Sequence, residues 1–296
     1  MNSQLMNIAS SNHSSPEVIH DKALMQQRCL DLRRAGKQIS FVPTMGYLHE
    51  GHLSLLRAGK ERGDVLVLSL FVNPTQFAPN EDLDAYPRDL ERDLELAASV
   101  GVDLVYTPLP QSVYPDGYAT YVNVERLTET LCGASRPDHF RGVTTVVCKL
   151  LNIVQPNRAF FGQKDFQQLA VIQQMVHDLN MPVEIVGLPI VREDDGLAMS
   201  SRNVNLSAEQ RQQALSLSQS IDMAQKMVVA GESDSRVILA ALQRLIEDQP
   251  EARIDYLQIC HQTTLAEQEQ VDADSVLLLA VFVGTTRLID NSFLVS

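Results

Sequence analysis

Long apolar runs are missing from this chain. No stretch of about 18 apolar residues could cross a bilayer as a helix, and the polar start, MNSQLMNIASSNHSS, has no apolar segment of the secretory-signal kind. Both absences predict a soluble, cytoplasmic protein with no membrane partner. Cysteine is sparse: Cys29, Cys132, Cys148 and Cys260 are far apart and form no CxxC pair. That argues against a zinc site or a disulfide frame and for reduced, mostly buried thiols. Basic residues are short too, with 24 Lys and Arg against 37 Asp and Glu and a net charge of −13. A nucleic acid or an anionic membrane needs a broad cationic face, so neither is an expected partner. A small polyanion held by a few focused cations is still open. The chain has no Walker A motif, no GxGxxG turn and no GxSxG elbow, which leaves P-loop, dinucleotide and serine-hydrolase readings without support. It also has no internal repeat and no low-complexity tract.

An apolar content of 45% over 296 residues suits a globular core in one large or two smaller domains. The first two thirds alternate strand-like and helix-like segments. Strands are predicted at Ile39–Pro43, Val65–Val72, Val102–Tyr106, Tyr121–Val124, Ala159–Phe161 and Val183–Gly187, and helices near 90–99, at Val143–Val154 and at Phe166–Leu179. VLVLSLFV at 65–72 is continuously apolar, as in a strand covered on both faces. The repetition predicts an α/β protein with a doubly wound parallel sheet. Character changes after Val191: a polar turn leads to helices at Ala208–Ala230 and Ser235–Asp248, then strands at Tyr256–Cys260, Val276–Val283 and Arg287–Ile289. We therefore expect a flexible extension at 1–14, a Rossmann-like domain at 15–191 and a smaller α+β domain at 192–296.

The most informative segment is FVPTMGYLHEGHLSLL at 41–56. A buried strand ends at Pro43, Thr44 and Gly46, and an amphipathic helix opens at His52. Such a turn aims bare backbone N–H groups and a positive dipole end at one spot, a ready phosphate site. His49 and His52 stand there as cationic or N–H-donating rings. A zincin reading fails, because HExxH places its histidines at i and i+4 and these are at i and i+3 across a glycine. Two turn histidines capping a helix is the bland alternative, and the length of the string argues for function.

Other strings carry their own chemistry. In FVNPTQF, Asn73 and Gln76 follow a buried strand and fall at the carboxyl end of the sheet, where ligands of doubly wound folds collect. In FGQKDFQQ, Lys164 sits beside a helix start, with Gln168 one turn on. Ser200, Ser201 and Arg202 could clamp a phosphoryl group or cap a short helix. Arg136, His139 and Arg141 frame either a substrate carboxylate or a solvated loop. Asp82, Asp84, Asp89 and Asp93 read mainly as charged surface, with one a candidate Mg²⁺ ligand; the metal ligands stay unassigned.

The HxGH turn resembles the signature of the nucleotidyltransferase superfamily, shared with class I aminoacyl-tRNA synthetases. The whole string PTMGYLHEGH, with LFVNPTQF, YPRDLERD, RPDHFRGV, FGQKDFQQ, GLAMSSRN and GTTRLIDN, is similar to the pantoate–β-alanine ligases, or pantothenate synthetases. The resemblance implies a homodimeric ligase that condenses pantoate with β-alanine through a pantoyl adenylate, using ATP with Mg²⁺ and releasing AMP and pyrophosphate. It implies that Met45, Gly46, Tyr47, Leu48, His49, Glu50, Gly51 and His52 bind ATP together with Gly162, Gln163, Lys164, Asp165, Val191, Met199, Ser200, Ser201 and Arg202. His52, His49 and Lys164 would be catalytic. Gln76, Gln168 and Asn73 would bind substrate, Gln76 touching both pantoate and β-alanine. Gln163 replaces the glutamate of the commoner FGEKD, which removes a carboxylate beside the lysine. Two other readings are a different nucleotidyltransferase, ending with a stable nucleotide-bearing product, and a nucleotide sensor without turnover.

Overall fold

Ile39, Phe41, Val65 and Val67 turn to one side of a parallel sheet, while Val42, Leu66 and Leu68 turn to the other. Both faces are covered, which is why these strands are apolar at nearly every position, Ser40 and Ser69 being buried exceptions. The computed structural model describes residues 15–77, 83 and 86–295. Its first part runs β1 (Glu17–Ile19), α1 (Lys22–Arg34), β2 (Ile39–Thr44), α2 (Glu50–Arg62), β3 (Val65–Leu70), α3 (Leu90–Ser99) and β4 (Leu104–Tyr106). Short helices α4 (Pro110–Val113) and α5 (Leu131–Ser135) lead to α6 (His139–Val154), β5 (Arg158–Gly162), α7 (Phe166–Asp178) and β6 (Glu184–Leu188). The six strands pair in parallel in the order β1-β4-β3-β2-β5-β6. Helices α1, α6 and α7 cover one face, and α2 and α3 the other.

The second part holds α8 (Ala208–Ala214), α9 (Ser216–Val229), α10 (Ser235–Glu247), β7 (Ala252–His261), β8 (Ser275–Val283) and β9 (Thr286–Phe293). Its strands form an antiparallel sheet in the order β7-β8-β9. On β8, Leu277, Leu279 and Val281 pack with the helices of this part, whereas Val276 and Leu278 join the core of the parallel sheet. The small sheet therefore serves two cores. Two polar links reinforce that seam. Arg192 makes a two-pronged ion pair with buried Asp290 on β9 (2.7 and 2.9 Å), and Asn291 Nδ2 donates to the carbonyls of Gln163 and Lys164 (2.9 Å each).

The expected α/β class and the parallel sheet with a smaller α+β part are what the structure shows. Two expectations need correction, and one strand is unforeseen. Tyr121–Val124 is extended but belongs to no sheet, because helix threonines take its hydrogen bonds: Val122 N donates to Thr145 Oγ1 (3.0 Å) and Thr144 Oγ1 donates to Val122 O (2.7 Å). The helix expected at 208–230 is divided at Leu215 into α8 and α9. The edge strand β1, three residues long, is not foreseen by any apolar pattern. Among the described residues no helix is long and apolar enough to cross a membrane. The cysteines are free thiols, Cys29 and Cys260 buried and Cys132 and Cys148 half-buried. Residues 1–14 lie outside the described residues.

Candidate active site

Strands β2 and β5 are neighbours at the point where the strand order reverses, so their carboxyl ends open a crevice of the kind that takes ligands in doubly wound folds. From the end of β2 and the residue after it come Pro43, Thr44 and Met45, and from β5 Phe161 and Gly162, all lining one cavity of about 240 Å³. A second cavity of about 620 Å³ shares Lys164, Asp165, Gln168, Ser200 and Arg202 with it and is bounded on its far side by β7–β9. The two make one cleft between the parallel sheet and the small antiparallel one.

His49 is the N-cap of α2. Its backbone N–H donates to His52 Nδ1 (3.4 Å), and His52 N–H donates to His49 O (2.8 Å). Because His52 Nδ1 accepts, its ring hydrogen belongs on Nε2. The two ring centroids are 4.0 Å apart. A Cβ at Gly51 would come 2.9 Å from His49 Cε1, so only glycine leaves room for that ring. Burial, helped by the nearby Lys164 ammonium, pulls the His49 pKa down to about 4. Burial, then His49 and Lys164, holds His52 well below the usual imidazole value. Both shifts favour the neutral form of the rings, so N–H-donating rather than cationic rings fit the free protein near pH 7. His49 Nδ1 is buried without a partner among the described residues.

The turn before α2 departs from the expectation of bare amides. Gly46 N–H donates to Thr44 Oγ1 (3.2 Å), while Tyr47 and Leu48 N–H donate to the two carboxylate oxygens of Asp93 (2.7 Å each). Among the described residues the N–H groups of Met45, and of Glu50 and Gly51 in the first turn of α2, have no acceptor. Asp93, expected as charged surface, is 2% exposed and staples α3 to the HxGH turn. Burial raises its pKa against the lowering pull of those two amides. Asp89 caps α3 by accepting from Arg92 N–H (3.1 Å), and Asp82 and Asp84 lie outside the described residues. Among the described residues no three His, Cys, Asp or Glu side chains are grouped to hold a metal ion.

Opposite the histidines, a 3-10 turn at Pro74–Gln76 carries Gln76 into the cleft. Its carbonyl accepts from His139 Nδ1 (2.8 Å), and Arg136 Nη1 lies 3.2 Å from His139 Nε2. Arg136 and His139 thus face both cavities, whereas Arg141 stacks over the Tyr121 ring at 3.9 Å and does not line the cleft. Val143, Val146, Val147 and Leu150 from α6, with Phe71 and Phe161, give the smaller cavity an apolar floor. Lys164 follows β5 in a second 3-10 turn, its Nζ 3.9 Å from Asp165 Oδ2. Across the mouth, Met199 N–H donates to Val191 O (3.0 Å), and Ser200 caps the turn Ser201–Asn205, accepting from Arg202 N–H (3.2 Å). Neutral N–H donors, an ammonium and a guanidinium therefore meet over a partly apolar pocket, a set that can grip an anion while holding a small organic acid beneath it.

The family model for pantoate-beta-alanine ligase matches residues 17–293. The chain belongs to the pantoate–β-alanine ligase family. It is 61% identical over 278 residues to the pantothenate synthetase of Syntrophotalea carbinolica (94% of this chain, 98% of that one), and 56% identical over 275 residues to that of Moorella thermoacetica (93% and 97%). The crystal structure of pantothenate synthetase from Thermus thermophilus matches with a TM-score of 0.90 at 44% identity, covering 95% of this chain and 100% of that one. The pantoate-β-alanine ligase from Francisella tularensis, crystallised in complex with β-γ ATP and β-alanine, matches with a TM-score of 0.77 at 32% identity, covering 94% and 98%.

In this member of the ligase family the cleft gathers Met45, His49, Gly51, His52, Asn73, Gln76, Gly162, Lys164, Asp165, Gln168, Val191, Met199, Ser200, Ser201 and Arg202. Five other predicted positions do not line it. Gly46 (φ +84) lies against Asp93, whose Oδ2 stands 3.0 Å from where a Cβ would be. Leu48 is fully buried in the core below α2, Tyr47 lies under the Arg92 guanidinium (5.2 Å), and Glu50 pairs with Arg57. Gln163 lines a groove on the outer side, with Phe166, Leu169 and Phe293. Sequence reasoning misses Tyr86, whose hydroxyl is 3.5 Å from Ser201 Oγ, and the apolar floor; the aromatic in YPRDLERD was the available signal for the former.

Proposed function

We propose that the chain joins pantoate to β-alanine at the expense of ATP, through a pantoyl adenylate. A carboxylate has no good leaving group, so a pantoate oxygen first attacks the α-phosphorus and pyrophosphate departs. The neutral amine of β-alanine then attacks the acyl carbon, losing a proton as AMP leaves. The protein's contribution is placement and charge stabilisation. His52 would donate its Nε2–H to a phosphoryl oxygen, with the unpartnered His49 Nδ1 facing the same region. Lys164 and the first-turn amides of α2 would neutralise charge on one side, and Ser200, Ser201 and Arg202 on the other. Gln76, Asn73 and Gln168 would orient pantoate above the apolar floor, which suits an acid with a branched alkyl body.

One observation carries this reading: the anion-binding groups and the acid-sized apolar pocket share one cleft at the sheet's switch point. Mg²⁺ would ride on the nucleotide's phosphates, because the acids nearby do not form a cage: both oxygens of Asp93 are taken by backbone amides. We further propose a division near Val191, with 192–296 acting as a lid over 15–191, and a homodimer, to be tested by light scattering. The reaction is tested by incubating the purified chain with ATP, pantoate and β-alanine and omitting each in turn. Pyrophosphate exchange should require pantoate but not β-alanine, and free AMP should accumulate only with all three. Exchange without pantoate would overturn the proposal.

A further inference from the structure

Behind Gln76 lies a hydrogen-bonded relay. Asn73 is 1% exposed, and its Nδ2 donates to the Gly142 carbonyl (3.1 Å) and to Gln76 Oε1 (3.0 Å). A carbonyl can only accept, so the Gly142 contact fixes which end of the Asn73 amide is nitrogen. Asn73 Oδ1 then accepts from the Tyr114 hydroxyl (2.9 Å) and from Thr75 Oγ1 (3.0 Å), and the two hydroxyl oxygens, 3.1 Å apart, spend their single hydrogens on Asn73 and not on each other. Burial raises the Tyr114 phenol to about 12, which keeps its proton in place for that donation. With Oε1 turned back to Asn73, Gln76 shows its Nε2–H₂ to the cleft, where among the described residues it meets only Met45 Sδ (3.2 Å), a weak acceptor.

We propose that Tyr114 is a positioning residue which, through Asn73, holds Gln76 with its two N–H donors facing the cleft, so that the site reads the acid substrate by its oxygen lone pairs and not by its hydroxyl hydrogen. This rests on the pantoate-binding role of Gln76 proposed above. The backbone of the turn is held independently, by His139 on the Gln76 carbonyl and by the close approach of Gly142, where a Cβ would meet Thr75 O at 2.4 Å. Loss of the phenol should therefore free the amide without moving the turn. The Tyr114 ring packs edge-on against Tyr118 (5.1 Å), and phenylalanine preserves that contact.

The test is steady-state kinetics of Tyr114→Phe in the full chain. One lost hydrogen bond predicts a pantoate KM raised about three- to tenfold. The ATP KM and kcat should stay near wild type, with a single cooperative melting transition kept and its midpoint lowered by no more than a few degrees. In the Gln76→Ala background the same change should add nothing, since its route to the substrate is gone. An unchanged pantoate KM, equal shifts in both KM values, or a full effect without Gln76 would each overturn the relay. Should Tyr114→Phe lose its melting transition, Thr75→Val removes the other hydroxyl and carries the same three readouts. Failure of wild type to form pantothenate would instead overturn the reaction, so the two failures are distinct.

Discussion

At the scale of single residues, the His52 ring has one accepting and one donating nitrogen, and only the donor is available to a phosphoryl group. Replacing His52 with Ala should lower pantoate-dependent pyrophosphate exchange by about 10²–10³, the usual cost of removing one such donor. Near wild-type exchange would remove it from the mechanism. Asp93 makes a subtler case. Asparagine has the same shape, yet one of its two terminal atoms donates and would face the N–H of Tyr47 or Leu48. Asp93→Asn should cost about 1–3 kcal/mol in urea unfolding, the penalty of one unpaired buried amide. The histidines were legible in the sequence because chemistry-bearing residues crowd one glycine-rich turn. Asp93 was not. It sits in a run of charged residues, and only the packing of α3 brings it against amides some 45 positions earlier.

Elements succeed or fail as predictions according to what takes their backbone hydrogen bonds. β3 and β5 were readable because apolar residues cover both faces, whereas Tyr121–Val124 has strand-like side chains but gives the Val122 N–H to Thr145 and takes the Thr144 hydroxyl on the Val122 carbonyl. The contact of α6 with the 74–76 turn was equally invisible, since it depends on a missing side chain. A Cβ at Gly142 would meet the backbone of Thr75 and Gln76 at 2.4–2.7 Å, while one at Gly59 would meet side chains, the tip of Leu66 at 2.8 Å and the Phe160 ring at an ordinary 3.6 Å. Gly142→Ala should therefore destabilise by about 1–3 kcal/mol and raise the pantoate KM, because backbone must move. Gly59→Ala should be milder. Parallel unfolding and kinetic measurements on the two variants decide it, and equal effects would contradict the argument.

For the whole molecule, acid is the informative stress. Folding lowers the His49 pKa from 6.5 to about 4, so between those values the unfolded chain binds a proton that the folded chain refuses. By linkage, the stability this ring contributes is fully present above about pH 6.5 and lost as pH falls toward 4. The melting temperature should decline across that window, and less steeply in His49→Gln, which keeps the contribution of His52 but loses that of position 49. An identical slope in the variant would show that other groups govern it. The two-part plan of the chain was readable from alternating and then segregated elements. The seam was not, because β8 divides its alternate side chains between two cores and no local pattern announces the second.

The carboxamide of Asn291, on the last strand of the fold, ties β9 to the carbonyls of Gln163 and Lys164. A ribosome-bound chain that has not yet emitted β9 would already possess every histidine, serine and lysine of the cleft, yet its ammonium would swing on an untethered bend. Emergence of that strand and fixing of the lysine-bearing turn would thereby coincide.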